Sequence, residues 1–301
     1  MLDWQLALPW YSFSHMATIL SGLPARDAIA ADLCKRVSAL PNPPHLAVIL
    51  AGDRPDSASY VAAKRKFAER IGVRMTIEKF PETVTKEELL ACISRFNNDS
   101  GVDGIIVQLP LPKGIDALPI CEAVVAHKDV DGLTSHNIKN LVAGSPTIVS
   151  ATARGVLNLL NFYNINVAGK HVVVVGRSLL VGKPIALSLL CVDATVTVCH
   201  RQTRDVAAIT QRADIVVVAA GAPKLITKEY VRAGAVVIDV GISAQPAGVG
   251  EKPVLVGDVD EASLQTTDAS YSPVPGGVGP MTVSALFQNV LDAAEASVRT
   301  V

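Results

Sequence analysis

From His45 onward, short runs of β-branched and aliphatic residues alternate with stretches of helical periodicity, and no other feature restricts the fold as tightly. Leu46 to Leu50, Met75 to Phe80 and Gly104 to Leu109 read as strands. Helices are expected between and after them, at about Ser57 to Ile71 (with Ser57 or Asp56 as N-cap), Lys86 to Phe96 and Leu118 to His127. Strands separated by helices of this length make parallel β-α-β units. The second half repeats the scheme, with strands at His171 to Val175, Thr195 to Cys199, Ile215 to Ala219 and Ala235 to Val240, although no close sequence repeat connects the halves. Asp129 to Thr152 reads as irregular, rich in Gly, Asn and Ser, so the boundary falls near its end. At roughly 100 to 200 residues per domain, the 301 residues suit two domains. The expected fold is α/β, with a mostly parallel sheet flanked by helices in each of two domains, 1–150 and 151–280. A Pro/Gly cluster after Ser272 leads into an amphipathic helix from about Thr282 to Val298, and the stretch 281–301 can pack back onto the first domain.

Composition narrows the function. Lys and Arg number 27 against 28 Asp and Glu, for a formal net charge of -1, and only 13 residues are aromatic. No basic excess or aromatic platform exists to hold a phosphate backbone or stack bases, so nucleic acid is not an expected partner. The apolar runs are too short to span a membrane, and no membrane partner is expected. Five cysteines without a C-x-x-C pair argue for free thiols, and scattered histidines offer no metal spacing, so no metal is expected. Met1 to His15 lacks the Lys or Arg of a signal or transit peptide and reads as an extension; a cytoplasmic location follows as an expectation.

The clearest local chemistry is Val172-Val173-Val174-Val175-Gly176-Arg177-Ser178-Leu179-Leu180-Val181-Gly182-Lys183-Pro184, a buried strand, a Gly turn and a helix start. That context lets a helix N-terminus hold a pyrophosphate, as in a Rossmann-like domain. A P-loop is excluded, because five residues separate the glycines and Pro184 follows Lys183. The dinucleotide fingerprint is met loosely, with Ser178 in place of the second Gly, so a purely structural Gly turn stays open. The next strand ends Cys199-His200-Arg201-Gln202-Thr203-Arg204, with no acid for a ribose hydroxyl. Arg201 and Arg177 could instead converge on a 2′-phosphate, which favours NADP over NAD; Arg201 and Arg204 as ordinary solvated charges is the alternative.

In the first half, Tyr60 and Lys64 stand four apart on one expected helix face, a proton-transfer candidate or a solvated pair. The order of motifs excludes a short-chain dehydrogenase, whose Tyr-x-x-x-Lys follows the Gly-rich turn. Gln108 ends an apolar strand, and Lys128-Asp129-Val130-Asp131-Gly132 offers carboxylates on a loop. Such strand ends are where open α/β sheets place ligands. Gln108 as a core amide and Asp131 as a turn residue are equally open readings.

Together these residues resemble the bifunctional methylenetetrahydrofolate dehydrogenase/methenyltetrahydrofolate cyclohydrolase family, from about Ile19 to Ala296. The resemblance rests on Tyr60-Val61-x-x-Lys64, Gly104 to Pro112, Lys128 to Gly132, Gly176-Arg177-Ser178 with Val181 to Pro184, and Pro273 to Thr282. It implies oxidation of 5,10-methylenetetrahydrofolate with NADP, then hydrolysis of the methenyl product to 10-formyltetrahydrofolate. A monofunctional dehydrogenase or a catalytically silent nucleotide-binding protein is the alternative. Lys64 matches the family's catalytic lysine, Gln108 its tuning partner, Tyr60 the ring that stacks on the folate, and Asp131 the carboxylate that holds the pterin. Val107, Leu109, Pro275, Gly276, Gly277, Val278 and Gly279 fall in folate-facing segments, and Gly176, Arg177, Ser178 and Ile242 match cofactor-contacting positions. Tetrahydrofolate derivatives as partners and a homodimer are likewise implied. The chain departs from the family at Leu133-Thr134-Ser135 and at Ser150-Ala151-Thr152-Ala153, where lost prolines are expected to loosen entry into the second domain.

Overall fold

A computed structural model describes residues 17–246 and 254–298, so the reading of Met1 to His15 as an extension lies outside the described residues. Helix α1 (Gly22–Ala39) precedes β1 (His45–Ala51), α2 (Pro55–Ile71), β2 (Arg74–Phe80), α3 (Lys86–Asn98) and β3 (Gly104–Gln108). The three strands form a parallel sheet in the order β2-β1-β3, and every residue of β1 is buried. Helix α2 begins at Pro55 with Arg54 as its cap, rather than at Asp56 or Ser57, because proline's fixed φ suits the first helical turn. It stops at Gly72, whose φ of 80° few other residues adopt. Thr85 and Glu88 start α3 with a reciprocal capping box.

Helices α4 (Ala117–Glu122), α5 (Ser135–Val142) and α6 (Ala151–Phe162) follow. Helix α4 is shorter than its pattern suggested, and α5 lies inside the stretch expected to be irregular, capped by Thr134. Then come β4 (His171–Val175), α7 (Gly182–Leu190), β5 (Thr195–Cys199), α8 (Val206–Thr210), β6 (Ile215–Val218), β7 (Val236–Asp239), a β8 (Ser243–Gln245) and β9 (Val254–Val256) hairpin, α9 (Glu261–Leu264), β10 (Ser270–Tyr271) and α10 (Val278–Val298). The second sheet is parallel throughout, in the order β10-β7-β6-β4-β5; the hairpin is antiparallel. Helix α1, the hairpin and β10 were not anticipated, and α10 starts earlier than expected. The buried face of α1 is mostly small, with Gly22, Ala25 and Ala30 beside a single Leu33, so its helical periodicity is faint.

A structural repeat underlies the two sheets although the sequences diverge. His45 opens β1: its amide donates to Asp103 Oδ2 (2.8 Å), and its ring nitrogens meet Gly101 O (2.9 Å) and Thr76 Oγ1 (2.8 Å). His171 opens β4 in the same way, with its amide on Asp214 Oδ2 (2.8 Å) and its ring on Arg212 O (3.2 Å) and Thr197 Oγ1 (3.0 Å). At the opposite ends, the Gly52 amide donates to Phe80 O and the Gly176 amide to Cys199 O. Both sheets therefore present a Gly turn at the carboxyl end of an inner strand, β1 in the first and β4 in the second.

Helix α10 joins the two cores. Val278 and Met281 lie in the core around β4, while Leu286, Phe287, Val290 and Leu291 lie in the core of β1 and α2. Gly155 on α6 allows close approach, since a Cβ there would stand 3.0 Å from the backbone of Met281. Phe287 packs on Phe67 with ring centroids 5.4 Å apart. All five cysteines are free, and no helix among the described residues is long and apolar enough to cross a membrane.

Candidate active site

Helix α2 and the end of β3 bring Lys64 and Gln108 together. Lys64 Nζ donates to Gln108 Oε1 at 2.9 Å, and Gln108 Nε2 donates to Leu109 O at 2.9 Å. The second bond fixes the amide, so its oxygen faces the ammonium. Burial holds the Lys64 pKa below the ordinary lysine range, against the attraction of Asp131. Burial likewise lifts the Asp131 carboxyl above its usual range, opposed by Lys64 and helped by the negative Asp129. A desolvated lysine beside a neutral acceptor gives up its proton more readily than a solvated one. Tyr60, one turn before Lys64, is 42 % exposed and so lies outside the core.

Within the segment Lys128 to Gly132, two side chains are taken up by backbone groups. Lys128 is buried, and its ammonium donates to Phe96 O (3.0 Å), Asn97 O (3.0 Å) and Asp99 O (2.7 Å), the carbonyls at the end of α3. Asp129 accepts from the amides of Gly132 (3.0 Å) and Thr134 (2.8 Å) and from Asn137 Nδ2 (2.9 Å). Asp131 is left as the carboxylate that acts electrostatically on Lys64. Val107 lies in the core with Ala47 and Ile49, and Leu109 packs against the same cluster, so the Val107 side chain is directed away from solvent.

The loop before α10 is held from two sides. Gly276 has φ of 103°, the Gly277 amide donates to Pro273 O (2.8 Å), and the Gly22 amide of α1 donates to Gly276 O (2.8 Å). Pro275 is exposed at its tip, whereas Val278 is buried. A Cβ on Gly279 would stand 3.6 Å from Ile242 Cδ1, so Ile242, which follows β7, reaches the first turn of α10.

On the second sheet, Gly176 has φ of 128°, and a Cβ there would lie 2.1 Å from Ala219 O. Only glycine lets the turn sit this low on the sheet. Ser178 Oγ accepts from the amides of Val181 (3.2 Å) and Gly182 (3.3 Å), so the start of α7 is satisfied from within the turn. Among the described residues, the amides of Arg177, Ser178, Leu179 and Leu180 make no hydrogen bond. The side chains of Arg177 and Arg201 are exposed at the ends of β4 and β5.

Two residues at this sheet edge escaped sequence reasoning. Asp239 is buried and accepts from the amides of Gly241 (2.9 Å), Asp258 (3.1 Å) and Val259 (2.8 Å); burial pushes its carboxyl up to about 7 against those donors. Asp258 accepts from the amides of Ala220 (2.7 Å) and Gly221 (2.8 Å), fixing the loop after β6. Neither stands in a recognisable local motif, since all their partners except the Gly241 amide lie in other segments.

Models of two domains match the chain. One, the tetrahydrofolate dehydrogenase/cyclohydrolase catalytic domain, covers residues 20–131; the other, the NAD(P)-binding domain of the same name, covers residues 150–298. The chain belongs to the tetrahydrofolate dehydrogenase/cyclohydrolase family. A curated relative, bifunctional protein FolD 1 of Rubrobacter xylanophilus, is 45% identical over 282 residues, which are 93% of this chain and 98% of that protein. The crystal structure of the bifunctional FolD enzyme of Campylobacter jejuni matches with TM-score 0.89 at 39% identity, covering 93% of this chain and 99% of that one. The Trypanosoma brucei enzyme, solved with NADP cofactor and inhibitor, matches with TM-score 0.89 at 40% identity, covering 94% and 99%. The chain is therefore a methylenetetrahydrofolate dehydrogenase and cyclohydrolase, with an NAD(P)-binding fold in its second half.

Proposed function

We propose that the two reactions divide along the chain near residue 150: folate is bound and processed by the first domain, while the second, 151–280, holds the cofactor. The Lys64–Gln108 hydrogen bond beside Asp131 carries this reading. NADP is the cofactor, and it supplies the acceptor for the hydride leaving the methylene bridge. The turn suits it: Gly176 lets the turn sit low against Ala219, four backbone amides are open to phosphate oxygens, and Arg177 and Arg201 are exposed at the ends of the neighbouring strands.

Tyr60 offers its ring to the flat pterin, and Asp131 accepts from the pterin's amino and ring N–H groups. Gly276 and Gly277 let backbone approach the other side of the cleft. Val107 and Leu109 contribute through their main chain, and Pro275, Val278 and Gly279 set the loop's shape. Ile242 bridges the cofactor and folate sides of the cleft. For hydrolysis, water adds to the methenyl carbon, neutral Lys64 takes a proton from it, and the C–N5 bond breaks as N5 regains one. A second water proton is released, leaving 10-formyltetrahydrofolate. Gln108 accepts from the protonated amine without charging it further.

The test supplies methylenetetrahydrofolate with NADP⁺ or NAD⁺ and follows both methenyl formation and its loss, for the wild type and for Lys64→Met. The expected result is oxidation with NADP⁺ by both proteins and methenyl accumulation by K64M. Undiminished hydrolysis by K64M removes Lys64 from the mechanism, and accumulation by the wild type marks a dehydrogenase alone. A cytoplasmic homodimer serving one-carbon and purine metabolism belongs to the same reading and rests on the family resemblance; light scattering of the purified protein checks the dimer.

A further inference from the structure

Asn289 lies fully buried on α10, far in sequence from Lys64, Gln108 and Asp131. Its Nδ2 donates to Val130 O and to Val149 O, each at 2.8 Å. Its Oδ1 accepts from Arg154 Nη1 at 2.7 Å, and the same nitrogen pairs with Asp292 Oδ2 at 2.5 Å. Asp292 is in turn held by Arg36 of α1 at 2.6 Å, which also binds Glu295 at 2.9 Å. A guanidinium only donates, so the amide oxygen must face Arg154 and both amide hydrogens must face the two carbonyls. Three helices thus fix the orientation of one buried side chain.

The two carbonyls bracket the segment that carries Asp131. Gly132 closes the same junction from the other side, since a Cβ there would stand 2.7 Å from the Ser150 amide nitrogen. Val130 O and the Asp131 nitrogen belong to one planar peptide unit, so a bond to that oxygen sets the plane from which the Asp131 side chain departs. Backbone capping fixes the Asp129 side chain, and the Gly132 amide closes a turn on Asp129 O (3.1 Å), so the Val130–Asp131 peptide is the middle of that turn and the Asn289 bond is what holds its oxygen.

We propose that Asn289 is a positioning residue for folate: by gripping Val130 O and Val149 O it sets the direction in which Asp131 meets the pterin. The proposal rests on the reading that Asp131 holds the pterin. The same side chain ties Val149, just before α6, to α10, in the segment where the family's prolines are lacking. Losing both donors unfastens Asp131 without touching the cofactor turn.

The test is a double-mutant cycle between Asn289→Asp and Asp131→Ala. Asn289→Asp keeps the size and the Arg154 bond while removing both donors. Its expected effect is about a tenfold rise in KM for methylenetetrahydrofolate, as losing a buried hydrogen bond implies, with KM for NADP⁺ within about twofold. In the Asp131→Ala background the same change adds nothing to the folate KM. Should N289D fail to fold, as a thermal melt reveals, Arg154→Met gives the same readout, because it frees the Asn289 amide to turn. Equal losses for folate and NADP⁺, or independent multiplication of the two folate effects, overturn the proposal. An unchanged folate KM in D131A alone removes Asp131 from binding, and this inference with it.

Discussion

Lys64 Nζ stands 2.9 Å from Gln108 Oε1, and Gln108 is held in that orientation by the carbonyl of Leu109. The ammonium is thus met by a neutral oxygen at the place where a carboxylate would normally pair with it. Gln108→Glu supplies that charge. An anion against Lys64 favours the protonated amine and raises its pKa, so less neutral base is present at a given pH. The pH limb of methenyl hydrolysis is expected to move upward by about one unit or more, each unit being about 1.36 kcal/mol of differential interaction. Hydride transfer, measured as methenyl formation, is expected to fall less. A pH profile of hydrolysis unmoved by Q108E would separate Gln108 from the proton step.

Asp131→Ala acts on the same lysine in the opposite direction. Asp131 is the charge that raises the Lys64 pKa against burial, so its removal lets the lysine fall further and moves the hydrolysis limb to lower pH. The folate KM rises at the same time, by roughly tenfold to a hundredfold, as expected for a lost charged hydrogen bond of about 1.5 to 3 kcal/mol. Measuring both quantities on one variant distinguishes an electrostatic partner that also binds substrate from a simple turn residue, which would change neither.

Arg201 tests the cofactor side. It is exposed at the end of β5, and Arg177 follows the neighbouring strand β4, where a ribose 2′-phosphate would sit in a Rossmann-like fold. Arg201→Ala is expected to raise KM for NADP⁺ by about tenfold while leaving KM for NAD⁺ nearly unchanged, because only the phosphate loses a partner. Equal changes for the two cofactors would assign Arg201 to the solvated surface.

Much of this was legible in the sequence, and the remainder was hidden for identifiable reasons. Runs such as Val172 to Val175 admit little but a buried strand, so both sheets and their Gly turns could be read directly. Lys64 and Gln108 sit where chain periodicity already places helix faces and strand ends. The chain could not say which of the neighbouring polar residues in Lys128 to Asp131 faces Lys64, because backbone groups capture Lys128 and Asp129 only in three dimensions. Asn289 meets Val130 across 159 residues of chain, and no spacing rule reaches that far. The paired His45 and His171 clamps were invisible for a related reason, since each repeat shares only a His, a Thr and an Asp on three separate strands or loops.

Asp239 gives a stability signature. Its carboxyl is raised by burial to about 7, while an unfolded chain returns it to the ordinary value near 3.8. Below the lower value both states are protonated, and the contribution to stability is fully present. Between the two values the unfolded chain releases its proton while the folded one retains it, so that contribution is lost as pH rises through the folded pKa. Asp239→Asn removes the titration while keeping one acceptor oxygen for the Gly241 and Asp258 amides. Urea unfolding at several pH values between about 4 and 7 is expected to show wild-type stability falling relative to D239N by up to about 1.4 kcal/mol per pH unit. A difference that stays constant over that window would mean that Asp239 is ionised throughout, with its three amide donors outweighing burial.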